Sequence, residues 1–203
     1  DAAIHPTGEL AFADLSPIGI DSPNTGASGG TIHLEWTVGN YGAIATTATV
    51  WYDKVVLSLN DHYGDSDDIF LTSVQHTGAL AAGGTYTAST DVQLPLGISG
   101  DFWVLVMADQ NNAVFEYLFE NNNTAQSTSQ IAVTMTPSAD LEASNISAPA
   151  LMVAGQPVTI EWTVSNSGAG TTGNGTPGNV VTSWLDRVAL SSNLQYGDGD
   201  DIV

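Results

Sequence analysis

The feature that most constrains this chain is a repeat inside it. Ile160-Glu161-Trp162-Thr163-Val164-Ser165-Asn166-Ser167-Gly168 restates Leu34-Glu35-Trp36-Thr37-Val38-Gly39-Asn40-Tyr41-Gly42 at an offset of 126 residues. Ala139-Asp140-Leu141 restates Ala13-Asp14-Leu15 at the same offset. Further on the offset becomes 133, where 184–191 follow 51–58 and 196–202 follow 63–69. The seven additional residues fall within 169–183, a Gly-, Thr- and Asn-rich stretch of loop character. A chain that restates itself is built of units, so the fold of one unit is the fold to find. The repeat predicts a complete unit over 13–137 and the first half of a second over 138–203. Residues 1–12 are expected to be a linker or the tail of a preceding unit.

Inside the unit the apolar residues recur with period two. Ile32, Leu34, Trp36 and Val38 alternate with Thr31, His33, Glu35 and Thr37, as a strand with one buried face requires. Six further strands are expected at 15–20, 48–58, 68–75, 85–94, 102–109 and 126–135, separated by clusters of Gly, Pro, Asn and Asp. Seven short strands in a unit of this length predict an all-β fold. The expected form is tandem immunoglobulin-like β-sandwiches, the second incomplete in this chain. The segment 113–120 carries a helical pattern but is too short to hold a helix alone.

Charge narrows the function classes. The chain has 22 acidic and 2 basic residues, a net charge of -20, so Lys54 and Arg187 cannot neutralise a row of phosphates. Nucleic acids and anionic membrane surfaces are excluded as partners on that ground. There is no cysteine, hence no disulfide frame, thiol chemistry or Cys-based zinc site. The apolar run at 102–108 is far short of the roughly twenty residues of a membrane-spanning helix. Sixteen of the acids are Asp and 21 residues are Gly, a bias toward oxygen-rich turns rather than helices. A secreted or cell-surface location is the expectation.

The unit opens on Ala-Asp-Leu, reaches Trp-Thr-Val-Gly-Asn-Tyr-Gly and closes on 109–122, Asp-Gln-Asn-Asn-Ala-Val-Phe-Glu-Tyr-Leu-Phe-Glu-Asn-Asn. This series resembles the CARDB modules, the cell-adhesion-related domains of large bacterial surface proteins. Asp109, Asn112, Val114, Glu116, Asn121 and Asn122 fit the closing pattern of that family, and Glu120 stands one position late. The resemblance implies a secreted sandwich repeat that serves as a spacer or adhesive module and is seldom an enzyme.

Two acidic clusters are candidate calcium sites. Asp65, Asp67 and Asp68 recur as Asp198, Asp200 and Asp201, and Asn60 recurs as Asn193. Carboxylates this close repel by roughly 1 kcal/mol per pair in water, and by more where water is restricted. Calcium, which takes six to eight hard oxygens in flexible geometry, relieves that repulsion. A solvated hairpin turn is the competing reading. The second cluster is the closing string, where Asp109, Asn111, Glu116, Glu120 and Asn122 supply oxygens. There the competing reading is a corner in which side chains cap backbone groups. Phe115, Tyr117 and Phe119 alternate with the acids and suggest a strand or hairpin with an ordinary buried face.

The two cations occupy equivalent places in the two units. A structural role is therefore expected for Lys54 and Arg187: an internal ion pair or a cation on an aromatic face, with Glu35/Glu161 or Asp53/Asp186 as partners.

Catalytic signatures are poor. Gly26-Ala27-Ser28-Gly29-Gly30 matches a nucleophile-elbow pattern, but a strand follows where a helix is needed, and Ala154 replaces Ser28 in the second unit. His5, His33, His62 and His76 have no metal-ligand spacing. The expected function is a non-enzymatic, calcium-stiffened structural or adhesive segment of a large bacterial or archaeal surface protein. Its partners would be neighbouring repeats, other subunits, or an adhesion target such as a glycan. The alternatives are a filament protomer assembled by strand complementation and an accessory module of a secreted hydrolase.

Overall fold

The computed structural model describes residues 3–4, 10–174 and 178–203, and His5 lies outside them. The chain divides into two compact units between Thr136 and Pro137. Among the described residues there is no helix.

The first unit is all-β. Its strands are β1 (Ala3–Ile4), β2 (Leu10–Ala11), β3 (Leu15–Asp21), β4 (Thr25–Ala27), β5 (Thr31–Asn40) and β6 (Val50–Ser58). They continue with β7 (Ile69–Thr77), β8 (Thr85–Gln93), β9 (Gly100–Met107), β10 (Thr124–Gln126) and β11 (Ile131–Thr134). β1 and β2 form a short antiparallel ladder. One sheet runs β3-β5-β8, and the other runs β4-β11-β9-β6-β7 with β10 also paired to β9.

The period-two pattern of β5 sends Ile32, Leu34, Trp36 and Val38 inward from the first sheet. Trp51, Val55 and Leu57 of β6, Phe102, Val104 and Val106 of β9, and Ile131 and Val133 of β11 meet them in one core. Two packed sheets with a shared apolar interior are the sandwich that the alternation predicted.

One expected strand is divided. Where one strand is expected over 126–135, the structure has β10 ending at Gln126 and β11 beginning at Ile131, both antiparallel to β9, with a break between them. Ser127 turns its buried hydroxyl into the break, accepting from Val104 N at 3.1 Å and donating to Ser129 O at 2.8 Å. The hydroxyl replaces a missing ladder bond, which period-two hydropathy does not reveal. The short edge strand β4, parallel to β11, also carries too little alternation to be seen in sequence.

The second unit contains β12 (Leu141–Ser147) and β13 (Glu161–Asn166). Their five paired positions, with a register shift between Ser144 and Ser147, restate those of β3 and β5 at an offset of 126. The bridge between Leu190 and Ile202 likewise restates Leu57 opposite Ile69. Exposure differs sharply between the copies. Trp36 and Trp51 are 0% and 1% exposed, whereas Trp162 and Trp184 are 40% and 47% exposed.

Candidate metal site

The loop 59–68 joins β6 to β7, and its shape follows from side chains folding back on their own backbone. Asp67 Oδ2 accepts from Leu59 N at 2.7 Å and Ser58 Oγ at 3.0 Å. The Asn60 amide bridges two acids, reaching Asp65 Oδ2 at 2.9 Å and Asp67 Oδ1 at 3.0 Å. Asn60 Oδ1 accepts from His62 N at 2.6 Å, and Asp68 Oδ2 accepts from Gly64 N at 2.6 Å. Gly64 has φ of +99°, a conformation that side chains disfavour. Asp68 Oδ1 is buried and has no partner.

The second unit builds the same loop from its own residues. Asp200 Oδ2 accepts from Ser192 N, Ser192 Oγ and Ser191 Oγ. The Asn193 amide bridges Asp198 Oδ2 at 2.8 Å and Asp200 Oδ1 at 2.9 Å. Asp201 Oδ2 accepts from Gly197 N, and Asp201 Oδ1 is buried without a partner, as in Asp68. Asp198, Asp200 and Asp201 bring carboxylate oxygens within 4.8 Å of one another, an arrangement that can hold a metal ion. Hydrogen bonding with the neighbouring Asp65 or Asp198 carboxyl, the largest influence, holds Asp67 and Asp200 below the usual carboxylate range. Nearby Ser hydroxyls and backbone N–H groups add to it. Asp67 and Asp200 are therefore ionised at neutral pH, as a hard cation requires.

The closing string is arranged differently. Asp109 is fully buried with φ of +47°, and its carboxylate accepts from Ala113 N at 2.9 Å and Val114 N at 2.7 Å. Glu116 is also fully buried, and Oε2 accepts from Leu15 N at 3.0 Å, where β3 begins. The Asn123 amide reaches its Oε1 at 3.4 Å. Burial, aided by the charges of Glu120, Asp14 and Asp109, pushes the Glu116 carboxyl up to about 8. Glu120 Oε1 accepts from Glu116 N at 3.0 Å, while the Asn122 amide donates to Asp14 Oδ1 at 2.7 Å. Asn111 is exposed.

Backbone donors of Leu15, Ala113, Val114 and Glu116 meet most of these carboxylate oxygens, while Glu120 Oε2 is buried without a partner. The expected buried aromatic face is inverted. Phe115, Tyr117 and Phe119 are exposed while Val114 and Glu116 are buried, because Glu116 must reach the unpaired N–H of Leu15.

The cations do not make the expected ion pairs. Among the described residues no Lys or Arg pairs with a carboxylate, and the one His–carboxylate contact at salt-bridge distance is His33 Nδ1 with Asp91 Oδ1, at 2.7 Å. Glu35 and Lys54 alternate with core residues on strands of opposite sheets, so they occupy opposite outer faces of the sandwich. Lys54 Nζ instead sits 5.5 Å from the centroid of the Tyr63 ring. Arg187 and Glu161 make no ion pair with the described residues either.

Asp53 belongs to a buried network that spacing alone did not reveal. Trp36 Nε1 donates to Asp53 Oδ2 at 2.9 Å, and the Tyr86 hydroxyl donates to it at 2.7 Å. Trp51 Nε1 donates to the Tyr86 oxygen at 3.0 Å. Burial raises the Asp53 carboxyl above its ordinary value. Trp162 Nε1 and Asp186 Oδ2 repeat the first contact at 3.0 Å. The common recurrence of Trp36/Trp162 and Asp53/Asp186 was the available signal. Ser28 is structural: it is buried, donates to Pro95 O and accepts from Gly97 N.

No protein-family model matches the chain, and no curated protein does. Among solved structures it is similar to the CARDB domain of a Pyrococcus furiosus protein in complex with di-metal ions. The TM-score is 0.44 at 20% identity, over 61% of this chain and 90% of that one. The solution structure of that domain gives 0.43 at 22% identity, over 61% and 96%. A β-glucosidase from Listeria innocua in complex with glucose gives 0.38 at 14% identity, covering 64% of this chain but only 17% of the enzyme. No helix among the described residues is long and apolar enough to cross a membrane.

Proposed function

We propose that this chain is a non-catalytic repeat segment of a large extracellular surface protein, with a calcium ion stiffening each acidic loop. Asp65, Asp67 and Asp68 would hold the ion in the first unit, and Asp198, Asp200 and Asp201 in the second. The observation that carries this reading is the duplicated loop. Both copies leave one buried carboxylate oxygen without a donor, on Asp68 and on Asp201. A buried anionic oxygen without a partner costs several kcal/mol unless a cation or donor meets it. Bound calcium would supply positive charge and hard coordination there, tying the turn between β6 and β7 to its own acids. A rigid, acidic sandwich repeat is suited to spacing and adhesion between neighbouring repeats, subunits or a glycan target.

Scanning calorimetry tests the proposal. With a dissociation constant near 10⁻⁴ M, 10 mM calcium stabilises a unit by about 2.7 kcal/mol per site. The first-unit transition should rise with calcium well beyond its response to sodium chloride of equal ionic strength. Equal responses to the two salts would defeat the reading.

A further inference from the structure

The chain carries three Asn-x-Ser/Thr triplets, at Asn122, Asn145 and Asn174, the pattern in which an Asn amide nitrogen accepts a sugar. The third runs into 175–177, which lie outside the described residues. The fold treats the other two in opposite ways.

Asn122 is held. Its amide donates to Asp14 Oδ1 at 2.7 Å, and its backbone carbonyl accepts from Ser16 Oγ at 3.1 Å. The next residue, Asn123, is buried, and Thr124 is paired with Met107 where β10 meets β9. An enzyme must break these contacts to reach the nitrogen.

Asn145 is presented. It stands in the bulge of β12, between Ser144 and Ser147, where pairing with β13 lapses. Its φ of +51° is a left-handed conformation that Asn tolerates better than most residues. Asn145 and Ser147 are both exposed. That exposure is independent of whatever completes the second unit, because the first unit shows the same place on a closed sandwich. There the bulge of β3 lies between Ile18 and Asp21, and Gly19, the counterpart of Asn145, has φ of +63°. Gly19 and Asp21 are exposed, whereas Ile20 between them is only 4% exposed. A Cβ at Gly19 would meet no atom within 4 Å. β3 is also an edge strand of its sheet, which leaves space beside it for a bulky group. The repeat thus sets Asn145 and Ser147 on the outer side of the strand and Ile146 on the core side.

We infer that Asn145 is an N-glycosylation site, whose donor is an oligosaccharide carried on a polyprenyl diphosphate. The Asn145 amide nitrogen attacks C1 of the first sugar and a C1–N bond forms. The C1–O bond to phosphorus breaks, the lipid diphosphate leaves with that electron pair, and one amide proton passes to a base of the transferase. Ser147 supplies the hydroxyl by which the transferase recognises the triplet. Encounter with such an enzyme in the cell rests on the extracellular reading above, whereas the acceptor geometry rests neither on that reading nor on calcium.

The test incubates the folded whole chain with lipid-linked oligosaccharide and a transferase that glycosylates a control Asn-x-Ser peptide in the same reaction. Cleavage after Glu120, Glu142 and Glu161 releases 121–142 and 143–161, so mass spectrometry reads Asn122 and Asn145 on separate peptides. Glycan occupancy of 143–161 should exceed that of 121–142 by about tenfold or more, the factor set by opening a hydrogen-bonded contact at Asn122. Ser147→Ala should remove the modification and Ser147→Thr should keep it. Asn145→Gly, which installs the residue of the first unit and suits the positive φ, should also remove it. An unmodified 143–161 beside a glycosylated control peptide would overturn the inference. Equal occupancy of 121–142 would do the same, since the fold would then select neither site.

Discussion

Glu116 joins a buried position to a carboxyl pushed up to about 8, against an ordinary value of 4.5. Between those values the folded unit keeps a proton that the unfolded chain releases. Its contribution is therefore complete below about pH 4.5 and is lost as pH rises through about 8. In calcium-free urea denaturation the first unit should be more stable at pH 5 than at pH 8, by on the order of a few kcal/mol. Glu116→Gln should flatten that dependence and exceed the parent at pH 8; an unchanged slope would place the titration elsewhere. Asp53 and Lys54 make a second contrast at this scale. Asp53→Ala leaves Trp36 Nε1 and the Tyr86 hydroxyl without their buried acceptor and should cost about 3–5 kcal/mol. Lys54→Met removes only a cation over Tyr63 and should cost about 1 kcal/mol or less, as equilibrium denaturation would show.

Among the elements, the acidic loops and the broken strand are the places where side chains substitute for regular pairing. Asp67→Ala should abolish the calcium response of the first unit, and Asp200→Ala that of the second. A response that survives in either variant would move the ion away from these loops. Ser127 governs the break between β10 and β11. Ser127→Ala leaves the buried Val104 N–H without its acceptor and should destabilise the first unit by about 1–3 kcal/mol. A neutral result in a melting experiment would mean that water takes over this contact.

For the whole molecule, identical local patterns lead to different burial. The first unit owns a closed core between its two sheets, so residues 10–136 alone should melt as one cooperative transition. Residues 138–203 present Trp162, Trp184 and Leu190 to water, and each such side chain forgoes roughly 2–3 kcal/mol of burial. Expressed alone, that fragment should give no cooperative transition by calorimetry or near-ultraviolet dichroism. A sharp transition from a monomer would show that its exposed face needs no cover.

The sequence by itself determined what depends on neighbours along the chain. Alternation placed Leu34, Trp36 and Val38 on one face, the repeat marked equivalent positions, and Asp-rich loops showed where carboxylates crowd. Only the tertiary structure decided what depends on residues far apart. It gave Asp53 to Trp36 and Tyr86 rather than to Lys54, and turned Glu116 inward to Leu15 across 101 residues of chain. It also set Glu35 and Lys54 on opposite outer faces. The physical reason is that hydropathy and spacing encode which face a side chain takes, whereas a buried polar group takes whichever donor the packed sheets bring within reach.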